Sequence, residues 1–218
     1  MKRSLVPLSG VVFFVTLLVS RLLAKSAPGS KASGAKLLAF YASKHGLMIA
    51  SATLVVIAAA VGMVFFGVLR DYLRSQERVR GAAATGFGGA LIFLSGALVV
   101  GGSTFALTDQ TRGLAPAAAQ TLNLIRWDTQ AALLAGGAAV MLFSFGLAII
   151  KSGLLPRWLG WLAFPLALGA LIPAVSTGIA SVAALWALAA SIAMYLQSSA
   201  TVDSSEITEQ PVAPTPTG

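Results

Sequence analysis

The stretch from Gly46 to Leu69 reads GLMIASATLVVIAAAVGMVFFGVL and contains no charged side chain. A bilayer core of roughly 30 Å needs about 20 apolar helical residues to cross it, so this stretch predicts a transmembrane helix. Further charge-free stretches follow along the chain: Ser4–Ser20, Gly81–Thr108, Thr129–Ile150 and Trp158–Val202. The last is interrupted by Pro173–Gly178. Because it is about twice the length of one span, it predicts two helices.

The predicted fold class is therefore all-α, a polytopic transmembrane helical bundle of about six spans. The predicted spans are Leu5–Ala24, Gly46–Leu69, Ala82–Leu107, Thr129–Ile150, Trp158–Ile172 and Ile179–Gln197. Short interfacial helices are expected in the loops, at Ala35–His45 and Ala117–Trp127. The first span resembles a signal peptide, but it has almost full-span length and carries Lys25 where cleavage needs a small residue. We expect it to be retained.

The C-terminal residues differ from the rest of the chain in composition. Residues 198–218 hold three acidic residues and three prolines among polar side chains. Such a segment cannot bury enough apolar surface to offset the entropy of ordering it. We therefore predict a six-helix transmembrane domain over residues 1–197 and a disordered acidic tail over residues 198–218.

The net charge of +8 does not predict nucleic-acid binding. The basic residues are distributed over all the short loops and form no stripe with interleaved aromatic residues, which nucleic-acid binding would favour. Flanking charges that contact lipid headgroups, anionic lipids included, explain them better. Counting Lys and Arg on the two faces gives nearly equal totals. The dense segment Arg70–Arg80 favours a cell-membrane orientation with both termini cytoplasmic.

Residue types that are absent exclude several chemistries. The chain has no cysteine, which excludes disulfides, thiolate metal sites and a cysteine nucleophile. It has one histidine, His45, which excludes an HExxH metalloprotease helix. The charge-free stretches hold none of the buried acids or histidines that ion-coupled transport usually employs. We predict no metal site and no cofactor.

One polar cluster follows from the span count. Six spans place the first and third loops on the same face of the membrane, together with Arg112 and five candidate site residues: His45, Asp109, Arg126, Trp127 and Asp128. Histidine beside a carboxylate is a possible acid–base pair, and arginine can hold an anion. The simpler interpretation is that these residues mark the water–lipid boundary, with Trp127 in the aromatic belt. We therefore assign no catalytic residue.

A second candidate is a kink in the fifth span. Pro165 removes one backbone hydrogen bond and leaves the carbonyl of Trp161 without its helical partner. Such a kink can line a cavity or act as a hinge, although proline is also tolerated in membrane helices for packing alone. Serine and threonine residues in the second and third spans are expected to hydrogen-bond within or between helices.

The chain resembles a family of small six-span integral membrane proteins, widespread in actinobacteria and catalogued as a domain of unknown function. The resemblance rests on four segments: LAFYASKH at residues 38–45, LRDYLR at 69–74, PAAAQTLN at 116–123 and SGLLPRWLGW at 152–161. It covers roughly residues 5–197, in loose and mostly apolar motifs. It implies a bacterial cell membrane and a six-helix bundle, and it implies no activity.

The leading hypothesis is a non-enzymatic integral membrane protein, an accessory component that binds membrane lipids, a protein partner or a second copy of itself. One alternative is a transporter or binder of an apolar or uncharged small molecule, with a cavity near Pro165 and the hydroxyl residues of spans two and three. Another is a membrane enzyme centred on His45 with Asp109 or Asp128.

Overall fold

The computed structural model describes residues 6–111 and 113–208, with residues 173–177, 179, 180 and 198–208 described in backbone only. The described chain is helical and contains no strand. The helices are α1 (Ser9–Leu23), α2 (Gly34–Ser43), α3 (His45–Leu73), α4 (Arg80–Asp109), α5 (Pro116–Thr129), α6 (Ala135–Ser152), α7 (Arg157–Ala170) and α8 (Pro173–Thr208). Short 3₁₀ turns precede α1 and α4, and a π-helical turn at Gln130–Leu134 joins α5 to α6.

Four helices are long and apolar enough to cross a membrane. They comprise Val6–Leu23, His45–Leu73, Glu77–Asp109 and Pro116–Ser152. These four correspond to the first four predicted spans, and the prediction is confirmed for them in length and composition. The result is consistent with a membrane-embedded protein.

The two remaining predicted spans correspond to shorter apolar helices. Helix α7 has 14 residues, so at 1.5 Å per residue it is about 21 Å long. The apolar part of α8 that the structure describes with side chains is Ser181–Gln197, also below the length of a full span. The predicted crossings at Trp158–Ile172 and Ile179–Gln197 therefore remain predictions.

The two short helices predicted in the loops are present in the structure. Helix α2 corresponds to the predicted interfacial helix at Ala35–His45. Helix α5 corresponds to the one at Ala117–Trp127, and Pro116 occupies its first turn, where the missing N–H costs least. The structure adds that α5 continues without a break into α6. At its other end α6 stops at Gly153, whose φ of 66° is a left-handed conformation that glycine adopts readily.

The C-terminal region is helical further than expected. Helix α8 continues through residues 198–208, where the sequence predicted a disordered tail. Acidic and polar residues in this part of the chain do not prevent the backbone from extending the preceding apolar helix. Residues 209–218, the rest of the predicted tail, lie outside the described residues.

Glycines allow α4 and α6 to approach closely. A Cβ on Gly89 would lie 2.5 Å from the backbone nitrogen of Met141, and a Cβ on Gly137 would overlap the backbone of Phe93. Small residues at helix contacts are the usual way to gain packing energy in a membrane, where lipid tails are as apolar as the side chains. The same device appears between α6 and α7, where Gly146 and Gly160 face each other.

A row of buried aromatic side chains fills the centre of the molecule. The ring of Phe66 contacts Phe13 at 5.7 Å and stacks on Phe145 at 6.2 Å. Phe145 in turn stacks on Trp186 at 6.3 Å. Each of these side chains is buried. The row thus joins α1, α3, α6 and α8 into one core.

The outer surface of the long helices is apolar. Large side chains are more than half exposed on several helices: Leu22, Met63, Val64, Phe143, Leu168 and Leu185. In water such a surface would be unfavourable, whereas in a bilayer it is the surface that lipid solvates. Polar contacts concentrate at the two ends of the helices.

Candidate functional site: a basic cavity at one end of the helices

One end of the molecule is built from residues 24–33, α2 and α5, and we call it the loop face. Asn123 is fully buried there, and its side-chain amide donates to the carbonyl of Gly29 at 3.1 Å. Gly34 lies so close to Pro116 that a Cβ would overlap the carbonyl of Pro116. Beneath these contacts, Leu37, Tyr41 and Leu107 form a small separate core. The first and third loops are therefore packed together.

The opposite end, the turn face, comprises residues 74–79 and 153–156. The Tyr72 hydroxyl bonds to the carbonyl of Leu154 at 3.1 Å and to Gln197 Oε1 at 3.0 Å. Arg78 donates to the carbonyl of Lys151. These bonds join the ends of α3, α6 and α8.

A cavity of about 130 Å³ opens below the loop face, between α1, α3, α4 and the junction of α5 with α6. Its polar lining consists of Ser20, Arg21, Ser51, Thr104, Arg126 and Gln130. Its apolar wall includes Leu17, Val55, Phe93, Ala97 and Leu134. Two of the lining side chains carry positive charge, and no carboxylate is among the lining residues, all of which are described. We call this space the Arg126 cavity.

Arg126 is a buried charged side chain of the cavity. It is only 8 % exposed. One terminal nitrogen, Nη2, donates to the carbonyl of Pro28 at 3.4 Å and to Asn123 Oδ1 at 3.3 Å. The guanidinium carbon lies 5.4 Å from the ring centre of Trp127. Arg126 is thus anchored by long hydrogen bonds and one ring contact, and none of these partners is a carboxylate.

Three buried polar atoms around Arg126 have no hydrogen-bond partner within the described chain: Arg126 Nε, Tyr41 Oη and Trp127 Nε1. Buried polar groups without partners are uncommon in folded proteins and call for an explanation, such as a bound water or ligand. Burial raises the pKa of the Tyr41 hydroxyl above its usual value, and the nearby positive charge of Arg126 acts in the opposite direction. The Tyr41 hydroxyl and the Arg126 guanidinium therefore interact electrostatically.

The π-helical turn helps to shape the cavity wall. Gln130 and Leu134, its first and last residues, both line the cavity. A π turn widens the helix locally and is frequently found at functional sites. Arg126 lies one turn before it, so the irregular segment and the buried charge occupy the same stretch of helix.

Hydroxyl groups on the opposite wall are already engaged with backbone carbonyls. Ser20 Oγ donates to the carbonyl of Ser51 at 2.9 Å, and Ser51 Oγ donates to the carbonyl of Ser20 at 3.0 Å. Thr104 Oγ1 donates to the carbonyl of Val100 at 2.8 Å. These bonds tie α1 to α3 and occupy the hydroxyl donors of this wall.

His45 and Asp109 lie elsewhere on the loop face. Together with Ala42 and Thr111 they line an open depression of about 470 Å³. Both side chains are exposed, and no hydrogen bond or ion pair joins them within the described chain. Asp109 Oδ2 accepts from the side chain of Gln110 at 3.1 Å. His45 and Asp109 therefore form no oriented acid–base pair within the described chain.

The other candidate residues from the sequence lie apart from His45 and Asp109. Asp128 is exposed on α5 and lines neither cavity. Trp127 is half-buried against Arg126. Arg112 lies outside the described residues. The polar cluster expected on one face is therefore divided into a depression with His45 and Asp109 and the separate Arg126 cavity. No group of three or more potential metal ligands is found in the described chain.

The kink candidates face outward. Trp161 is 63 % exposed and Pro165 is also exposed. Neither lines a cavity, although open apolar grooves flank them. One groove runs between α6 and α7 past Phe143 and Leu168, and the other between α7 and α8 past Leu162 and Trp186. In a bilayer, lipid chains would fill such grooves.

Sequence reasoning named Arg126 but missed Arg21, Gln130 and Tyr41. A signal existed for Arg21, since it is the one charged residue inside the predicted first span, Leu5–Ala24. A charge in that position is costly and often marks a polar interior site. Comparison with known proteins finds no matching family model, no matching curated protein and no matching solved structure.

Proposed function

We propose that this chain is an integral membrane protein whose helices form a bundle crossing the membrane six times, and that it acts by binding rather than by catalysis. Its ligand is a membrane lipid or a protein partner. By the resemblance described above, the membrane is a bacterial cell membrane, and the positive charge of Arg70–Arg80 favours cytoplasmic termini.

The observation that carries the proposal is the distribution of polar side chains. The long helices present apolar residues outward, while four of the buried polar side chains line one cavity below the loop face: Ser20, Ser51, Thr104 and Arg126. A lipid-solvated exterior with a small polar interior site is suited to recognising a molecule that enters from the membrane or from its surface.

The enzyme hypothesis has weaker support. Histidine works as a general base when a partner orients it within hydrogen-bond reach of the reacting group. His45 has no such partner among the described residues, and its depression is wide and open. Asp128 is not part of that depression.

Binding of an uncharged small molecule is the second candidate, because Ser51 and Thr104 place hydroxyl groups in the Arg126 cavity. The cavity extends along α4 from Thr104 to Phe93, which is about 16 Å at 1.5 Å per residue. Transport would need the path to continue. The aromatic row from Phe13 to Trp186 fills the core instead, so the described chain offers a binding site without a continuous passage.

The proposal is tested by purifying the full chain in a mild detergent and measuring retained molecules by native mass spectrometry. We expect a defined number of lipid molecules, or a stoichiometric protein partner, to remain bound. Isolation as a bare monomer that takes up no added lipid would contradict the binding function. Turnover that is lost in His45→Ala would favour the enzyme hypothesis instead.

A further inference from the structure

We propose that the Arg126 cavity binds the phosphate group of an anionic membrane lipid, whose acyl chains leave the cavity between α1 and α8. This inference rests on the proposed binding function and names the ligand class and the site. It depends on four properties of the cavity: its charge, its unused donors, its size and its connection to the lipid-facing surface.

The charge of the cavity calls for an anion. Arg21 and Arg126 both line it, and its described lining contains no carboxylate. A buried charge is stable only when it is paired or well hydrogen-bonded. The hydrogen bonds of Arg126 to Pro28 and Asn123 are long, at 3.4 and 3.3 Å. An anion in the cavity would supply the missing compensation.

The unused donor points to an oxyanion. Arg126 Nε is buried and has no partner within the described chain. Guanidinium groups bind phosphate and carboxylate oxygens through two parallel N–H donors, which gives direction as well as energy. With Nη2 engaged by the loop, the guanidinium keeps other donors for an oxygen placed in the cavity. Nε has almost no accessible surface, so it gains a partner only when the side chain shifts toward that oxygen.

The size of the cavity fits a headgroup phosphate rather than a whole lipid. Its volume of about 130 Å³ compares with roughly 30 Å³ for one water molecule in the liquid. A single water would leave most of it empty. The acyl chains of a bound lipid must therefore lie outside it.

A shallow lateral groove marks the side on which those chains would lie. It runs between α1 and α8, has a volume of only about 10 Å³ and is lined by Phe14, Leu17, Leu18, Arg21, Ser181 and Ala184. Leu17 and Arg21 line both this groove and the Arg126 cavity, so they stand between the two spaces. A lipid that places its phosphate beside the arginines would lay its chains over the exposed apolar surface of α1, outside the groove. The nearness of the cavity to this surface favours a lipid over free phosphate.

The test uses the full chain in mild detergent, with native mass spectrometry to measure the affinity of added lipids. The probes are phosphatidylglycerol, phosphatidylcholine and inorganic phosphate. We expect phosphatidylglycerol to bind one site about tenfold more tightly than phosphatidylcholine, whose cationic choline would approach Arg21. Arg126→Gln should weaken phosphatidylglycerol binding about tenfold, since it removes a hydrogen bond to a charged group.

Two further variants separate the site from surface charge and from misfolding. Lys36→Gln removes an exposed charge from the same face and should leave the affinity unchanged. Ala97→Leu fills the cavity without changing any charge and should also weaken phosphatidylglycerol binding. If Arg126→Gln does not fold, Ala97→Leu decides the matter, because unchanged affinity in that variant contradicts the assigned site.

Each other outcome has a definite meaning. If Lys36→Gln weakened phosphatidylglycerol binding as much as Arg126→Gln does, surface electrostatics would explain the effect, and the assignment of the site to the Arg126 cavity would be overturned. Equal affinity for both lipids would overturn the inference while leaving the proposed binding function intact, whereas uptake of neither lipid would count against that function as well. Inorganic phosphate that displaces phosphatidylglycerol at equal concentration would assign the cavity to a free oxyanion, and occupation by water alone would remove the ligand altogether.

Discussion

At the scale of single residues, Trp186 shows how burial and hydrogen bonding act together. Its ring is 2 % exposed and stacks on Phe145, and its indole nitrogen donates to the carbonyl of Leu159 at 3.1 Å. Trp186→Ala would remove these contacts and leave a cavity, so we expect a loss of roughly 3 kcal/mol in unfolding free energy. Unfolding by a denaturing detergent measures it. Trp161→Ala is the matched control, since that ring is 63 % exposed, and an equal loss there would contradict the assignment of Trp186 to the core.

Tyr41 makes the stability of the loop face depend on pH. Burial raises the pKa of its hydroxyl, and the charge of Arg126 partly opposes this. A raised folded-state pKa means that the folded chain holds the proton more tightly than the unfolded chain. The contribution of Tyr41 is therefore complete below about pH 10, the pKa of an unperturbed tyrosine, and is lost as the pH rises through the higher folded value. Hydrogen exchange of α2 should accelerate above pH 10, and Tyr41→Phe should reduce that acceleration. An unchanged pH profile in Tyr41→Phe would contradict the prediction.

At the residue level, the sequence pointed to Arg126 through chain topology, and its role in a site stays a prediction. Arg126 was named because an even number of spans places loops one and three together. The burial of the Arg126 side chain could not be inferred, because its sequence neighbours, Ile125 and Trp127, do not show whether it points into the protein or into water. The position of Tyr41 beside Arg126 depends on how α2 packs on α5, which is a tertiary property.

At the scale of helices, the close contact between α4 and α6 depends on which glycines of one helix face the other helix. A methyl group on Gly89 would lie 2.5 Å from the Met141 nitrogen, whereas one on Gly88 would meet nothing within 4 Å. We expect Gly89→Ala to separate the helices and to cost about 1–3 kcal/mol. Gly88→Ala should be neutral or stabilising, because alanine is the better helix former. Thermal denaturation of both variants in the same detergent checks this, and equal stability would contradict the packing.

The helices themselves were largely predictable, and their junctions were not. Charge-free length predicted the four long apolar helices, because lipid demands that span of apolar residues. The π turn at Gln130–Leu134 was not foreseen, since QAALL contains no proline or glycine to signal an irregularity. It lies where α5, which packs on α2, continues into α6, which packs on α4. That arrangement is visible only once the helices are assembled.

At the scale of the whole molecule, the chain brings its first and last helices together. Ser191 on α8 donates to the carbonyl of Pro7 at 2.5 Å, and Gly10 on α1 is packed against Ser191 and Phe65. Helix α1 therefore lies between α3 and α8, and it forms one wall of the Arg126 cavity as well as one wall of the lateral groove. A detached or cleaved first helix would leave neither space enclosed, so the candidate site requires α1 in place.

The number of crossings can be measured because the chain has no cysteine of its own. Single thiols introduced as Ser33→Cys, Ser75→Cys, Arg157→Cys and Gly178→Cys occupy exposed positions. Ser152, although close to Arg157 in the chain, is buried and unsuitable. Six spans would place positions 33 and 178 on one side of the membrane and positions 75 and 157 on the other, and a thiol reagent that does not cross membranes distinguishes the two sides.

The decisive position is 178, because α7 is only about 21 Å long, against a bilayer core of roughly 30 Å. We expect it to label with position 33, since an apolar Leu171–Ile172 follows α7 and extends its reach. Labelling together with position 157, or protection from both sides, would show that α7 and α8 enter the membrane without crossing it, and the four long helices would then be the only spans.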